Sequence, residues 1–145
     1  GITSGERDDW DDIFFRVFLE KIEPHLGTPV PTFLYGYPAS MAALAKLDDT
    51  DPRVAERFEL YAAGMELANA FGELTDAAEQ LRRFEVDNYK RNKLFGERYP
   101  VDEDFIAALE HGLPASAGIA LGFDRLVMLA TAADKIEDVL WAPVA

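Results

Sequence analysis

Two stretches of this 145-residue chain hold residue types that could do chemistry. The first, residues 66–74, reads Glu-Leu-Ala-Asn-Ala-Phe-Gly-Glu-Leu, with two carboxylates and one carboxamide in an otherwise apolar run. An unpaired charge on the core side of a strand is costly, so acids there need a reason. In an extended strand Asn69, Phe71 and Glu73 share one face and Glu66 takes the other. For Glu66 and Glu73 to serve one site, the strand must bulge or twist between Glu66 and Asn69. Such a carboxylate pair suits Mg²⁺, which takes oxygen ligands and keeps waters beside substrate phosphates. The competing reading leaves Glu66 in solvent and sets Glu73 at the positive end of the next helix. In so acidic a chain, these residues alone favour that reading.

The second stretch, residues 118–126, reads Gly-Ile-Ala-Leu-Gly-Phe-Asp-Arg-Leu. Small residues alternate with apolar ones, so a flat ligand could lie against that strand face. Arg125, in the first turn of a helix, could grip a phosphate oxygen with its donor fork. Asp124 could orient Arg125 or cap the helix. The plain alternative is a glycine-softened strand, a capped helix and a surface Asp–Arg pair. The stretch is not a P-loop, because no Gly-Lys-Ser or Gly-Lys-Thr follows it.

The elements that must position these groups follow from hydrophobic periodicity. Residues 8–26 carry Trp10, Ile13, Phe14, Val17, Phe18 and Ile22 at helical spacing. Asp8, Asp9, Asp11 and Asp12 suit the positive end of that helix, and Pro24 and Gly27 its stop. Residues 31–35 form a short strand, 39–47 a helical turn or loop, and 48–53 a polar connector. Residues 58–71 read as two strands joined near Ala63-Gly64. Thr75 caps a long helix to about Lys93, with Leu81, Phe84 and Asn88 on one stripe. After a loop through Gly96 and Pro100 come a helix over 102–110, a strand over 116–121, a helix over 124–130 and a last strand over 139–141. The order predicts an α+β fold with a mainly antiparallel sheet flanked by helices.

Composition bounds the rest. The chain is 49% hydrophobic, enough for the core of one domain spanning 1–145. It has no cysteine, which excludes disulfides and thiolate metal sites. A net charge of −13 repels phosphate backbones and disfavours general nucleic-acid binding. No apolar run approaches membrane-spanning length, and a cytoplasmic location is expected. Gly1 in place of Met points to a processed or excised piece. His25 and His111 sit near predicted helix ends and receive no catalytic role. Arg82, Arg83, Lys90, Arg91, Lys93 and Arg98 read as a solvated helix face, and Trp10 and Trp141 as core or interface fillers.

Taken jointly, residues 118–126 resemble motif 3 of class II aminoacyl-tRNA synthetases, with Arg125 as its ATP-binding arginine. Residues 66–74 resemble the lysyl-type segment that precedes it, and residues 31–46 the strand and loop before that. The match runs in order over nearly the whole chain, and the joint pattern is specific although each piece alone is not. True lysyl-tRNA synthetases usually carry Gly at the middle small residue of motif 3, where this chain has Ala120. Residues 33–35, 38–40, 51–61 and 125–129 look closer to the elongation factor P lysine ligases, which lack an anticodon-binding domain.

That resemblance implies a partial class II fold, with ATP and Mg²⁺ as cofactors. The implied reaction makes an adenylate of lysine or β-lysine, then transfers the amino acid to a lysine of elongation factor P. ATP would meet Glu66, Leu67, Gly122 and Arg125, with Arg125 catalytic. The amino acid would meet Asn69, Phe71 and Glu73, and Mg²⁺ would meet Glu66 and Glu73. Neither tRNA nor a membrane is an expected partner, and a homodimer of the full-length protein is compatible with the family. Motifs 1 and 2 of the family are absent. The chain therefore reads as the C-terminal portion, roughly half, of a catalytic domain, and is expected to be inactive alone. Two other readings stand beside this one: a piece of a true lysyl-tRNA synthetase, and a non-catalytic binding module that keeps the fold.

Overall fold

Four strands, each paired with its neighbour in sequence, form the sheet that carries both stretches. They are β1 (Thr32–Pro38), β2 (Val54–Ala62), β3 (Met65–Gly72) and β4 (Ala117–Leu121), in the order β1-β2-β3-β4. The helices are α1 (Trp10–Val17), α2 (Ala77–Phe95), α3 (Glu103–Gly112) and α4 (Phe123–Thr131). The computed structural model describes residues 2–3, 5 and 8–142; Gly1 lies outside them. The α+β class with an antiparallel sheet is as the sequence predicts. The chain divides into two compact units. One comprises Gly1–Tyr35, Phe58–Ala70 and Ile119–Ala145, the other Gly36–Arg57 and Phe71–Gly118.

In the first unit, α1 begins at Asp9, whose carboxylate accepts the Asp12 N–H while Asp12 returns the bond to the Asp9 N–H, both at 3.0 Å. This reciprocal cap satisfies amides that the first helical turn leaves open. Trp10, Phe14 and Phe18 stack along one stripe at centroid distances of 5.3 and 6.0 Å. The predicted helix is shorter than 8–26: a π turn follows at Phe18–Ile22, then a 3-10 turn at Glu23–His25. Pro24 explains the change, because it offers no N–H and its ring crowds the carbonyl four residues back. Gly27 ends the segment at φ +74°, where a Cβ would lie 2.6 Å from the Ala62 nitrogen. Only glycine fits there, and its carbonyl accepts the Ala63 N–H at 2.8 Å. Ala63 and Gly64, both at positive φ, close the β2–β3 hairpin as a two-residue loop.

The predicted strand at 139–141 does not form. The N–H groups of Val139 and Leu140 turn back to the Ile136 carbonyl at 3.1 and 3.2 Å, after a 3-10 turn at Ile136–Asp138. A local acceptor thus captures the amides a strand would offer. Trp141 is fully exposed and Trp10 is 60% exposed, so neither fills a core among the described residues.

In the second unit, Ala42, Ala45 and Ala55 form a buried cluster, joined by Leu47 and Phe71. The loop that carries Ala42 and Ala45 is stapled to α2. Gln80 Nε2 donates to the Ala43 carbonyl at 3.0 Å, and Arg83 Nη1 donates to the Ala42 and Ala45 carbonyls at 2.6 and 2.8 Å. Asp76, rather than Thr75, caps α2 by accepting the Glu79 N–H at 3.0 Å. A carboxylate is the stronger acceptor and adds charge that favours the helix N-terminus. Asp102 caps α3 in the same way, and Phe84 meets Phe105 at 6.1 Å. Asn88 holds the following loop with both ends of its amide, bonding the Tyr99 carbonyl and N–H at 3.0 and 2.9 Å.

The basic concentration on α2 therefore divides. Arg82 is a solvated surface group, but the Arg83 side chain is only 11% exposed. Arg83→Ala removes the donor to two backbone carbonyls and the ion pair with Glu79. With each such bond contributing roughly 1–1.5 kcal/mol, the loss should be about 2–4 kcal/mol. Chemical denaturation of wild type and variant measures it, and an unchanged midpoint would show that the staple is idle.

Glu79 accepts from both Arg82 and Arg83, and these bonds hold its carboxyl at about 2, against an ordinary 4.5. A lowered folded-state value means stability that is present above the unfolded value and lost as pH falls through the folded one. The melting temperature of wild type should therefore exceed that of Glu79→Gln above about pH 4.5, and the gap should close towards pH 2. Melting curves at stepped pH test this; a gap constant with pH would contradict it.

Candidate functional site

The two chemical stretches meet in the first unit at the junction of β3, β4 and α4. Gly122, the residue between β4 and α4, donates its N–H to the Leu67 carbonyl at 2.8 Å. Three residues on, Arg125 Nη1 donates to the Glu66 carbonyl at 2.6 Å. The four residues expected around ATP are thus brought together through backbone atoms. Among the described residues this is Arg125's one bond, so most of its donor fork stays available. Asp124 makes no bond to Arg125 among the described residues, and Gly122 rather than Asp124 is the α4 N-cap. The arginine is aimed by the strand, not by a neighbouring acid.

The strand breaks its own alternation here. The two-residue loop at 63–64 sets Ala62 opposite Met65, and that register would put Glu59 opposite Ala68, with Asn69 on the other face. Instead Asn69 Nδ2 donates to Glu59 Oε1 at 3.3 Å, and the consecutive residues Leu67 and Ala68 are both buried. β3 thus departs locally from strict two-residue alternation.

Glu59 itself is 6% exposed and also accepts from the Tyr61 hydroxyl at 2.7 Å. Sequence reasoning missed it. The signal was an acid between Phe58 and Leu60 in the apolar half of β2, where burial demands hydrogen-bond partners.

Phe71 and Glu73 belong to the second unit. Phe71 packs against the Ala42, Ala45 and Ala55 cluster, so much of its ring serves the core. Glu73 donates its N–H to the Ser116 carbonyl at 2.9 Å and bridges Ala45 as an antiparallel partner. Its half-buried carboxylate has no partner among the described residues and lies over Gly118. A Cβ at 118 would collide with Glu73 Oε1, with Cδ at 3.6 Å. The small residue lets the acid lie flat on β4.

Glu66 in the first unit and Glu73 in the second each offer oxygen donors, the type a hard cation takes. Among the described residues no group of three or more His, Cys, Asp or Glu converges. Mg²⁺ commonly takes most of its ligands from phosphate and water, so it needs few from protein. No helix among the described residues is long and apolar enough to cross a membrane.

An antiparallel sheet, an arginine at the first turn after its last strand and an acid on the strand beside it define a class. The chain belongs to the class II tRNA synthetases (D, K and N), whose family description matches residues 15–145. It is 52% identical over 138 residues to the elongation factor P (R)-β-lysine ligase of Edwardsiella ictaluri (strain 93-146), covering 95% of this chain and 42% of the relative. It is 53% identical over 140 residues to the ligase of that name from Pectobacterium carotovorum subsp. carotovorum (strain PC1), covering 97% and 43%. It is 51% identical over 143 residues to that of Hamiltonella defensa subsp. Acyrthosiphon pisum (strain 5AT), covering 99% and 44%. The chain thus spans about two fifths of the length of these relatives.

Proposed function

We propose that this chain is the part of an adenylate-forming ligase that holds ATP and the amino acid. The whole enzyme activates lysine or β-lysine and passes it to a lysine side chain of elongation factor P. The observation that carries this reading is Arg125, pinned by the Glu66 carbonyl with most of its fork open. The choice of amino acid and acceptor is supported by similarity to ligases named for them. Ala120 and the net charge of −13 favour a protein acceptor over tRNA.

In the proposed reaction an oxygen of the amino-acid carboxylate attacks the α-phosphorus of ATP. The bond to the β-phosphate oxygen breaks and pyrophosphate leaves. The attacking group is already an anion, so no side-chain nucleophile is required; alignment and charge cancellation do the work. Arg125 supplies fixed cationic donors to phosphate oxygens. Glu66 and Leu67 line the nucleotide side with Gly122. Glu73 offers its carboxylate to an ammonium group of the amino acid, which Asn69 and Phe71 also meet in this reading. Glu66 and Glu73 are the residues that would hold Mg²⁺, which when bound neutralises phosphate charge. In the second step the acceptor amine attacks the carbonyl carbon of the mixed anhydride, AMP leaves and the amine loses a proton.

The test is amino-acid-dependent ATP–pyrophosphate exchange by the full-length protein, followed by transfer of labelled β-lysine. Exchange with lysine or β-lysine and label on elongation factor P are expected. Absence of exchange, or label on tRNA alone, would overturn the reading.

A further inference from the structure

The cations at the end of α2 read in the sequence as a solvated helix face, and cations in a last helical turn do favour the helix dipole. The structure builds more there than either role needs. Asn88 grips the Tyr99 backbone with both ends of its amide, at 3.0 Å to the carbonyl and 2.9 Å to the N–H, and so closes residues 88–99 into one lobe. That lobe holds Lys90, Arg91, Lys93 and Arg98 against the single acid Glu97, in a chain of net charge −13. Tyr89, Leu94, Phe95 and Tyr99 stand exposed among these cations. The Tyr99 ring, 59% exposed, lies under the Arg91 guanidinium at 3.8 Å, and Arg91 also donates to its hydroxyl. The Phe95 ring is 5.4 Å from the same guanidinium. Arg91 Nε is buried and has no hydrogen-bond partner among the described residues.

Arginine stacked on tyrosine, with aromatic neighbours and lysines around them, is the composition of a protein-binding surface. Arg and Tyr are enriched where interfaces bind tightest, and other charges are kept to the rim. The stack also removes in advance some of the rotamer freedom that binding would otherwise cost. The sign of the surrounding charge selects an acidic partner. An extended nucleic acid would run past these few cations onto a surface carrying the chain's acids, whereas a folded protein can present a bounded acidic patch. Permanent burial within one enzyme is disfavoured as well, because such interfaces are largely apolar. We propose that residues 88–99 dock an acidic face of a protein partner, which in the proposed reaction is the acceptor. The partner's identity rests on that proposed function; the docking chemistry rests on the lobe itself.

The experiment is transfer of labelled β-lysine by the full-length enzyme, titrating elongation factor P at saturating ATP and β-lysine. Pyrophosphate exchange without elongation factor P, and a thermal melt, are run on each variant. Lys93→Glu combined with Arg98→Glu should raise the KM for elongation factor P by about 10–50-fold at low salt, and the gap from wild type should shrink as ionic strength rises. Lys93→Arg combined with Arg98→Lys keeps the charge and should stay within about twofold of wild type. Tyr99→Ala leaves the Asn88 grip on the backbone intact and should raise that KM by about tenfold with little dependence on salt. For all of these, kcat at saturating acceptor, exchange and melting temperature should stay near wild type. An unchanged KM for elongation factor P in the charge-reversed and Tyr99→Ala enzymes would overturn the proposal. So would equal losses in exchange or melting temperature, which would assign the lobe to packing within the enzyme, or a loss confined to tRNA binding. A wild-type enzyme that puts no label on elongation factor P would instead sink the proposed function and this partner with it, so the two failures are distinguishable.

Discussion

Arg125→Ala in the full-length protein should lower kcat/KM for ATP by at least about tenfold while leaving amino-acid affinity nearly intact. The loss of a charge-assisted contact is worth roughly 1.5–3 kcal/mol, which converts to that factor or more. The geometry makes the effect specific. Arg125 spends one N–H on the Glu66 carbonyl at 2.6 Å and has no other bond among the described residues. The backbone contact tethers the guanidinium, and the remaining donors can meet two phosphate oxygens at once. Arg125→Lys should rescue little, since a single ammonium cannot hold the strand carbonyl and present a fork. The side chain is exposed, so folding should survive either change. Separate titrations of ATP, β-lysine and Mg²⁺ decide the matter. Wild-type ATP kinetics in Arg125→Ala would end its assignment to phosphate.

Gly118→Ala should behave like a variant of Glu73. A single methyl at 118 would occupy the space of Glu73 Oε1, so the carboxylate must swing off β4. That end of the side chain is flexible and has no partner among the described residues, so the shift should cost little stability. The cost should fall on the amino acid, with KM for β-lysine up about tenfold, the value of one lost charged contact. Glu73→Gln should lose at least as much, and combining the two should add little. Exchange kinetics with thermal melts alongside read this out. A Gly118→Ala enzyme with normal KM, beside a defective Glu73→Gln, would mean that Glu73 does not work from its position over Gly118.

Much of this arrangement was legible in the order of residues. The alternation along 58–71, the turn at Ala63-Gly64, the helix that follows and the small-residue stretch before Phe123 all reflect local periodicity and backbone freedom, which a sequence states directly. Errors fell where two local options compete. Thr75 and Asp76 can each cap a helix, and the stronger acceptor took the place. Residues 139–141 are apolar enough for a strand, but a nearby carbonyl captured their amides.

The composition and spacing of Glu66, Asn69, Glu73 and Arg125 determined what chemistry this protein can offer: oxygen donors and one fixed cation, with no thiol. Only the tertiary structure decided how those groups are aimed. The Arg125–Glu66 bond joins residues 59 positions apart, and the Asn69–Glu59 bond joins side chains of two neighbouring strands. Arg83 reads as a surface charge in the sequence, yet it closes on carbonyls of a distant loop. Periodicity reports which face a residue takes within its own element. Register across strands, and the partner a buried polar group finds, depend on chain segments far apart, which close-packing and the cost of unsatisfied polar atoms bring together.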